Sequence, residues 1–140
     1  MAATNLTIEA ANDILAAHFA PWVLASGVTT HAVGIDQVTL RIPFSAHLCR
    51  TGGIMSGQTL IAGADTAMVL AIAAAAGGFK PVATVDLTIK YMRPVAGADA
   101  LLVAKVIRLG RSLAFCTAEI AEAGRDKPAA FATGTFAMPG

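Results

Sequence analysis

One acidic residue, Asp65, interrupts the run GQTLIAGADTAMVLAIAAAAGG at residues 57–78, whose other members are nearly all small or apolar. A carboxylate there can accept hydrogen bonds from a threonine or backbone amides as a structural group. Alternatively, with its pKa pushed upward by burial, it can take a proton or attack a carbonyl. The residues alone leave those two readings level. Ser56, just before the run, stands in no GxSxG frame and has no base spaced to complete a triad, so it reads as a helix cap. Cys49 and Cys116 belong to no CxxC and read as buried free thiols. His18, His31 and His47 make no i, i+4 pair, so no metal site is expected, and His47 reads as structural.

The element that must hold Asp65 is one long helix over 57–76, opened by Ser56 and stopped by Gly77 and Gly78. Its length would cross a bilayer. An aspartate at the bilayer centre costs about 2.5–3.5 kcal/mol, however, and a run rich in Ala and Gly offers little to offset that. A helix buried in a protein core is expected instead, with no membrane partner. Upstream, TIEAANDILAAHF spaces Ile8, Ala11, Leu15, Ala16 and Phe19 as an amphipathic helix within an N-terminal helical segment over 1–24. GVTTHAVGIDQVTLRIPF breaks at 35–38 into two antiparallel strands. SAHLCRTGGIMS, with Gly52 and Gly53, reads as an irregular loop.

Four more strands follow the long helix: VATVDLTIKYM, ALLVAKVIRL, SLAFCTAEIAEA and AAFATGTFAM. In the first of them Val85, Leu87, Ile89 and Tyr91 form an apolar face, alternating with Thr84, Asp86, Thr88 and Lys90. Asp86 reads as a sheet or interface residue. The order predicts an α+β fold in one domain over 1–140, a curved antiparallel sheet wrapped around one long central helix.

The chain has 140 residues, 56% hydrophobic and 14% charged, with a mean hydropathy of +0.66. That suits a single core and predicts an apolar surface covered by another subunit. A formal charge of +1 gives no broad attraction to nucleic acid, and no nucleic-acid-binding signature accompanies it. The amino terminus lacks the basic start and apolar block of a secretion signal, so a cytoplasmic location is expected.

The order GGIMSGQTLIAGADTAM, ATVDLTIKYMRP, GRSLAFCTAEIAEAGRDKPAAFATGTFAM resembles the hotdog-fold thioesterase superfamily over roughly residues 30–138. It is most similar to the phenylacetate-degradation, or PaaI-like, acyl-CoA thioesterases. The resemblance implies hydrolysis of an acyl-CoA to free acid and CoA, with no cofactor, the CoA being part of the substrate. It makes Asp65, fourteenth counting inclusively from Gly52, the catalytic base or nucleophile, and the backbone amide of Gly57 the group that polarises the carbonyl. Thr84 would hold water for the second step, and Gln58 joins the catalytic set. Arg50, Gly53, Ser56, Arg93, Arg108 and Arg111 are the substrate- and CoA-binding candidates. Where many relatives have HGG, Ser56 takes the histidine position and Gln58 the second glycine. Arg50 stands where several relatives have asparagine.

Gly57 and Asp65 lie eight residues apart, about 12 Å along a helix, while donor and base must each come within about 3 Å of the reacting groups. Two antiparallel helices from two subunits would join them, so a homodimer with a composite site is expected, and a homotetramer beyond it. Of the ten basic residues, Lys90, Arg93, Lys105, Arg108 and Arg111 fall between 90 and 111 with only Asp99 opposing, which suits the phosphates of CoA. Two other readings stand beside hydrolysis. One is a non-catalytic acyl-CoA-binding module; the other is a hotdog enoyl-CoA hydratase or dehydratase, for which His47 is the histidine candidate.

Overall fold

A computed structural model describes residues 6–140; of the helical segment expected over 1–24, residues 1–5 lie outside the described part. The elements run α1 (Ile8–His18), α2 (Pro21–Leu24), β1 (Thr29–Val33), β2 (Gln37–Ile42), β3 (Cys49–Arg50), β4 (Ile54–Met55), α3 (Gly57–Ala76), β5 (Ala83–Tyr91), β6 (Ala100–Leu109), β7 (Leu113–Glu122) and β8 (Ala130–Ala137). α1 begins at Thr7, whose hydroxyl accepts from the Ala10 amide at 3.0 Å. It buries Ala11 and Leu15, whereas Ile8 and Ala16 of the expected apolar stripe face outward. A four-residue helix, α2, follows where none was expected, opened by Pro21 at a first-turn position that needs no amide hydrogen.

Both ends of α3 lie where the sequence puts them. The Ser56 hydroxyl accepts from the Thr59 amide, and Gly77 closes the helix at φ +80° with Gly78 donating to Ala73. The chain before α3 differs from the irregular loop expected there. Cys49–Arg50 pairs with Ile54–Met55 as a minute hairpin around Gly52 and Gly53, both at positive φ.

The main sheet has six strands in the order β1-β2-β6-β7-β8-β5, with every pairing antiparallel. Strands β2, β6, β7 and β8 alternate buried and open residues, and the buried set, including Leu40, Leu102, Ile120 and Phe136, packs on α3. This is the expected α+β arrangement of a sheet around one central helix. Although α3 is long and apolar enough by composition to cross a bilayer, it is wrapped by this sheet. Two glycines permit the close approach: a Cβ on Gly63 would come within 2.7 Å of Leu102 Cδ2, and one on Gly134 within 2.6 Å of Met68 Sδ.

β5 follows α3 directly yet pairs with β8 and forms one edge of the sheet. Its expected apolar face is therefore only partly covered. Leu87 and Ile89 are half-buried, while Val85, in an irregularity of the register, and Tyr91 are 60% and 51% exposed. To reach β6 the chain crosses the end of the sheet through Val95, which is fully buried and accepts from the Met55 amide at 2.8 Å.

Candidate active site

α3 carries Asp65 on a flank that the sheet leaves half open. The Thr84 hydroxyl, from the start of β5, donates to Asp65 Oδ1 at 2.9 Å. Burial raises the Asp65 carboxyl above its ordinary pKa, and the Thr84 bond, which favours the ionised form, opposes part of that rise. Around this pair a hollow is lined by His18, Phe19, Trp22, Ala62, Thr66 and Val69. Thr66 cannot serve as a second donor there, because its hydroxyl is spent on the Ala62 carbonyl at 2.8 Å.

The amino end of α3 forms a second centre. Ser56 accepts from the Thr59 amide at 3.2 Å, and the Leu60 amide donates to the Ser56 carbonyl. The amides of Gly57 and Gln58 are thus left without an acceptor among the described residues, at the positive end of a 20-residue helix. Tyr91, at the far end of β5, donates its hydroxyl to the Gly57 carbonyl at 2.7 Å and lays its ring against Gly57, where a Cβ would sit 3.1 Å from the hydroxyl oxygen. Arg50, Leu60, Met92, Arg93 and Val95 complete this hollow. Arg50 gives one N–H to the Thr51 carbonyl and Arg93 one to the Pro128 carbonyl, leaving further guanidinium donors on both.

Within one chain, then, β5 spans the two centres, with Thr84 beside Asp65 at one end and Tyr91 beside Gly57 at the other. The remaining candidates distribute between them and beyond. Gly53 is in the exposed turn of the β3–β4 hairpin, its amide donating to Arg50. Gln58 lines a separate apolar chamber with Thr59 and Gly63 and does not border the Asp65 hollow. Arg108 and Arg111 border a third hollow at the β6–β7 turn. Thr84, Phe136, Ala114 and Leu109 form one cross-strand row, so that turn lies at the Thr84 end of the sheet. Asp99 does not oppose the basic group: it holds Arg41 at 2.7 Å and the Phe44 amide at 2.8 Å. Those bonds keep its carboxyl below the usual range.

His47 binds Ser45 Oγ at 2.6 Å and faces the Ala25 carbonyl at 3.3 Å, as a structural tie. Cys116 is buried, its thiol pushed up to about 12 by desolvation, and Cys49 is also free. Among the described residues no three His, Cys, Asp or Glu side chains gather as a metal site. Among the residues of the two hollows that were not site candidates in the sequence are His18, Trp22 and Tyr91. For Tyr91 the signal was its place at the end of an apolar strand face, whereas His18 and Trp22 reach Asp65 only through the docking of the N-terminal helices.

The family profile described as "Thioesterase superfamily" matches residues 52–129. No curated protein sequence matches the chain significantly. Among solved structures, a conserved protein of Pseudomonas aeruginosa is similar at 30% identity and a TM-score of 0.80, over 86% of this chain and 95% of that one. Zebra fish thioesterase superfamily member 2 is 26% identical, with a TM-score of 0.85 over 96% and 100% of the two chains. The Escherichia coli PaaI protein from the phenylacetic acid degradation operon shares the fold at 20% identity, with a TM-score of 0.80 over 95% and 96%.

Proposed function

Because the chain belongs to the thioesterase superfamily, we propose that it hydrolyses an acyl-CoA to the free acid and CoA, in the manner of the PaaI-like enzymes, as a cytoplasmic homo-oligomer. The observation that carries this reading is the arrangement along β5. A half-buried carboxylate is held by Thr84 at one end, and unpaired amides at a helix amino terminus are backed by Tyr91 at the other.

Those two centres are too far apart to act on one carbonyl within a chain, since eight helical residues rise about 12 Å. The open edge of β5 supports a remedy. If two β5 strands pair antiparallel about a twofold axis near Leu87, the Thr84 end of one meets the Tyr91 end of the other. Asp65 of one protomer then faces Gly57 of its partner. The partly exposed Val85, Leu87, Ile89 and Tyr91 would be covered by the same contact.

In such a site Asp65, ionised, takes a proton from water, and the resulting hydroxide adds to the thioester carbon. The Gly57 amide stabilises the oxyanion that forms, aided by the helix dipole. Collapse of the tetrahedral species breaks the C–S bond, and the departing thiolate takes the proton held by Asp65. Attack by the carboxylate itself would pass through an anhydride that water then opens. Thr84 holds Asp65 in place for either course. Arg50 and Arg93, beside Gly57, offer guanidinium donors to the phosphates of CoA, with the partner's β6–β7 turn at the same end of the paired sheets. His47 does not border the Asp65 hollow, which disfavours a hydratase that would pair it with this carboxylate.

The test is CoA release from a panel of acyl-CoAs by the wild type and by Asp65→Asn. Hydrolysis by the wild type and a fall of at least about a hundredfold in the variant are expected, the scale of a lost general base. Equal rates would remove Asp65 from the mechanism. Binding of acyl-CoA without release by either protein would establish a non-catalytic binding module.

A further inference from the structure

The Asp65 hollow does not end at Ala62 and Thr66. These two residues, with Trp22 and Val23, also border a second space of about 100 Å³. Its remaining walls are Ser26, Val28, Ile42, Leu48, Gln58, Thr59 and Gly63. The two spaces have Trp22, Val23, Ala62 and Thr66 in common, so the chamber adjoins the Asp65 hollow. The hydroxyls on the chamber wall are occupied, and the exposed Gln58 adds an amide to it. Thr59 Oγ1 donates to the Leu48 carbonyl, Ser26 Oγ to the Val23 carbonyl and Thr66 Oγ1 to the Ala62 carbonyl. What remains to meet an occupant is chiefly hydrocarbon.

Size narrows the occupant further. An apolar cavity of about 150 Å³ stays dry and takes up benzene in another protein, so the space here accommodates roughly four carbons in the same terms. An acyl group whose thioester carbon is at Asp65 must first pass Trp22 before its tail enters. The indole stands on the four-residue α2 and is 67% exposed, so it forms a wall with solvent behind it and little packing to hold it rigid.

We propose that this chamber is the acyl-tail site and that it selects unbranched, unsubstituted aliphatic thioesters of medium length, about six to eight carbons in all, with Trp22 setting the upper limit. The tail's terminal carbons fill the chamber, and the carbons next to the carbonyl run beneath the indole. Acetyl thioesters leave the chamber empty, and long-chain thioesters overfill it. This assignment rests on the thioesterase reading for its chemistry and on the chamber's geometry for its selectivity.

The experiment measures two quantities across straight-chain acyl-CoAs from two to sixteen carbons. They are kcat/KM for the wild type and for Trp22→Ala, and the calorimetric affinity of Asp65→Asn, which reports tail binding without turnover. For each methylene that enters the chamber, kcat/KM and affinity should rise roughly fourfold, levelling or falling beyond about eight carbons. In Trp22→Ala the rise should continue to longer chains. Ala62→Leu, which narrows the passage from the α3 side, should move the optimum to shorter chains, and circular dichroism checks that both variants fold. A flat dependence on chain length in both turnover and affinity overturns the chamber. An unchanged optimum in a folded Trp22→Ala removes the indole as the limit. Steep affinity with no turnover by the wild type retains the chamber and instead overturns the hydrolase reading.

Discussion

At the scale of single residues, the proposed mechanism makes the contact between Thr84 and Asp65 the control on how the reaction responds to pH. In the proposed mechanism Asp65 must be ionised to act, so activity should fall as pH drops through its pKa, which burial moves above the ordinary carboxylate value. Thr84 donates a hydrogen bond to the ionised form and so pulls the pKa back down. Replacing it with valine, which keeps the shape and removes the donor, leaves burial unopposed. The acid limb of the kcat profile in Thr84→Val should therefore shift to higher pH than in the wild type. A limb that stays in place or moves to lower pH would show that another group controls it. Family likeness named Thr84 and Asp65 as site candidates in the sequence, and it did not reveal their contact. A hydrogen bond between positions 19 apart depends on how β5 lies along α3, which no local pattern encodes.

At the scale of elements, the helix and sheet meet most tightly at glycines. A Cβ at Gly134 would stand 2.6 Å from Met68 Sδ, 3.0 Å from Leu87 Cδ1 and 3.2 Å from Phe136 Cε1, and Met68 and Phe136 are fully buried. Gly134→Ala should thus cost about 1–3 kcal/mol through overpacking, read as a lower urea midpoint with an unchanged slope. Gly63→Ala should cost less, since alanine's helix preference returns up to about 1 kcal/mol. A neutral Gly134→Ala would mean that the seam between β8 and α3 is looser than these distances describe. The elements themselves were largely readable. The Ser56 cap, the Gly77 stop and the strand-like runs of β2 and β6–β8 between turn residues are local signals, each with a local physical cause. The hairpin at 49–55 and α2 are two to four residues each, too short for any periodicity to register. The apolar face of β5 was read correctly as apolar, but its exposure follows from an edge position fixed by β8, and partner choice is non-local.

At the scale of the whole molecule, the proposed site needs two copies of the chain, and that requirement can be tested by complementation. Gly57→Pro removes the candidate oxyanion donor while placing proline at the first position of α3, where it suits a helix. The tight contact with Tyr91 requires a slight shift of that ring. Asp65→Asn removes the base. Each variant alone should be inactive. Unfolded together and refolded, they should form hybrid dimers with one intact site each, restoring about a quarter of wild-type activity by random pairing of subunits. No restoration, with hybrid dimers verified by mass, would place both functions within one chain.

The path of the chain from α3 into β5 also bears on how the protein comes into being. Leu87 is paired with Gly134, forty-seven positions later, so the strand that carries Thr84 and Tyr91 is made well before β8, its one neighbour in the sheet among the described residues. While a ribosome is still extending the chain, α3 and β5 can meet, but β5 has both edges unpaired until residues 130–137 emerge. Completion of the last strand is therefore the event that turns a sticky nascent intermediate into a subunit with one edge left to share. A premature stop within the β7–β8 turn would yield an aggregate in place of a weakened enzyme.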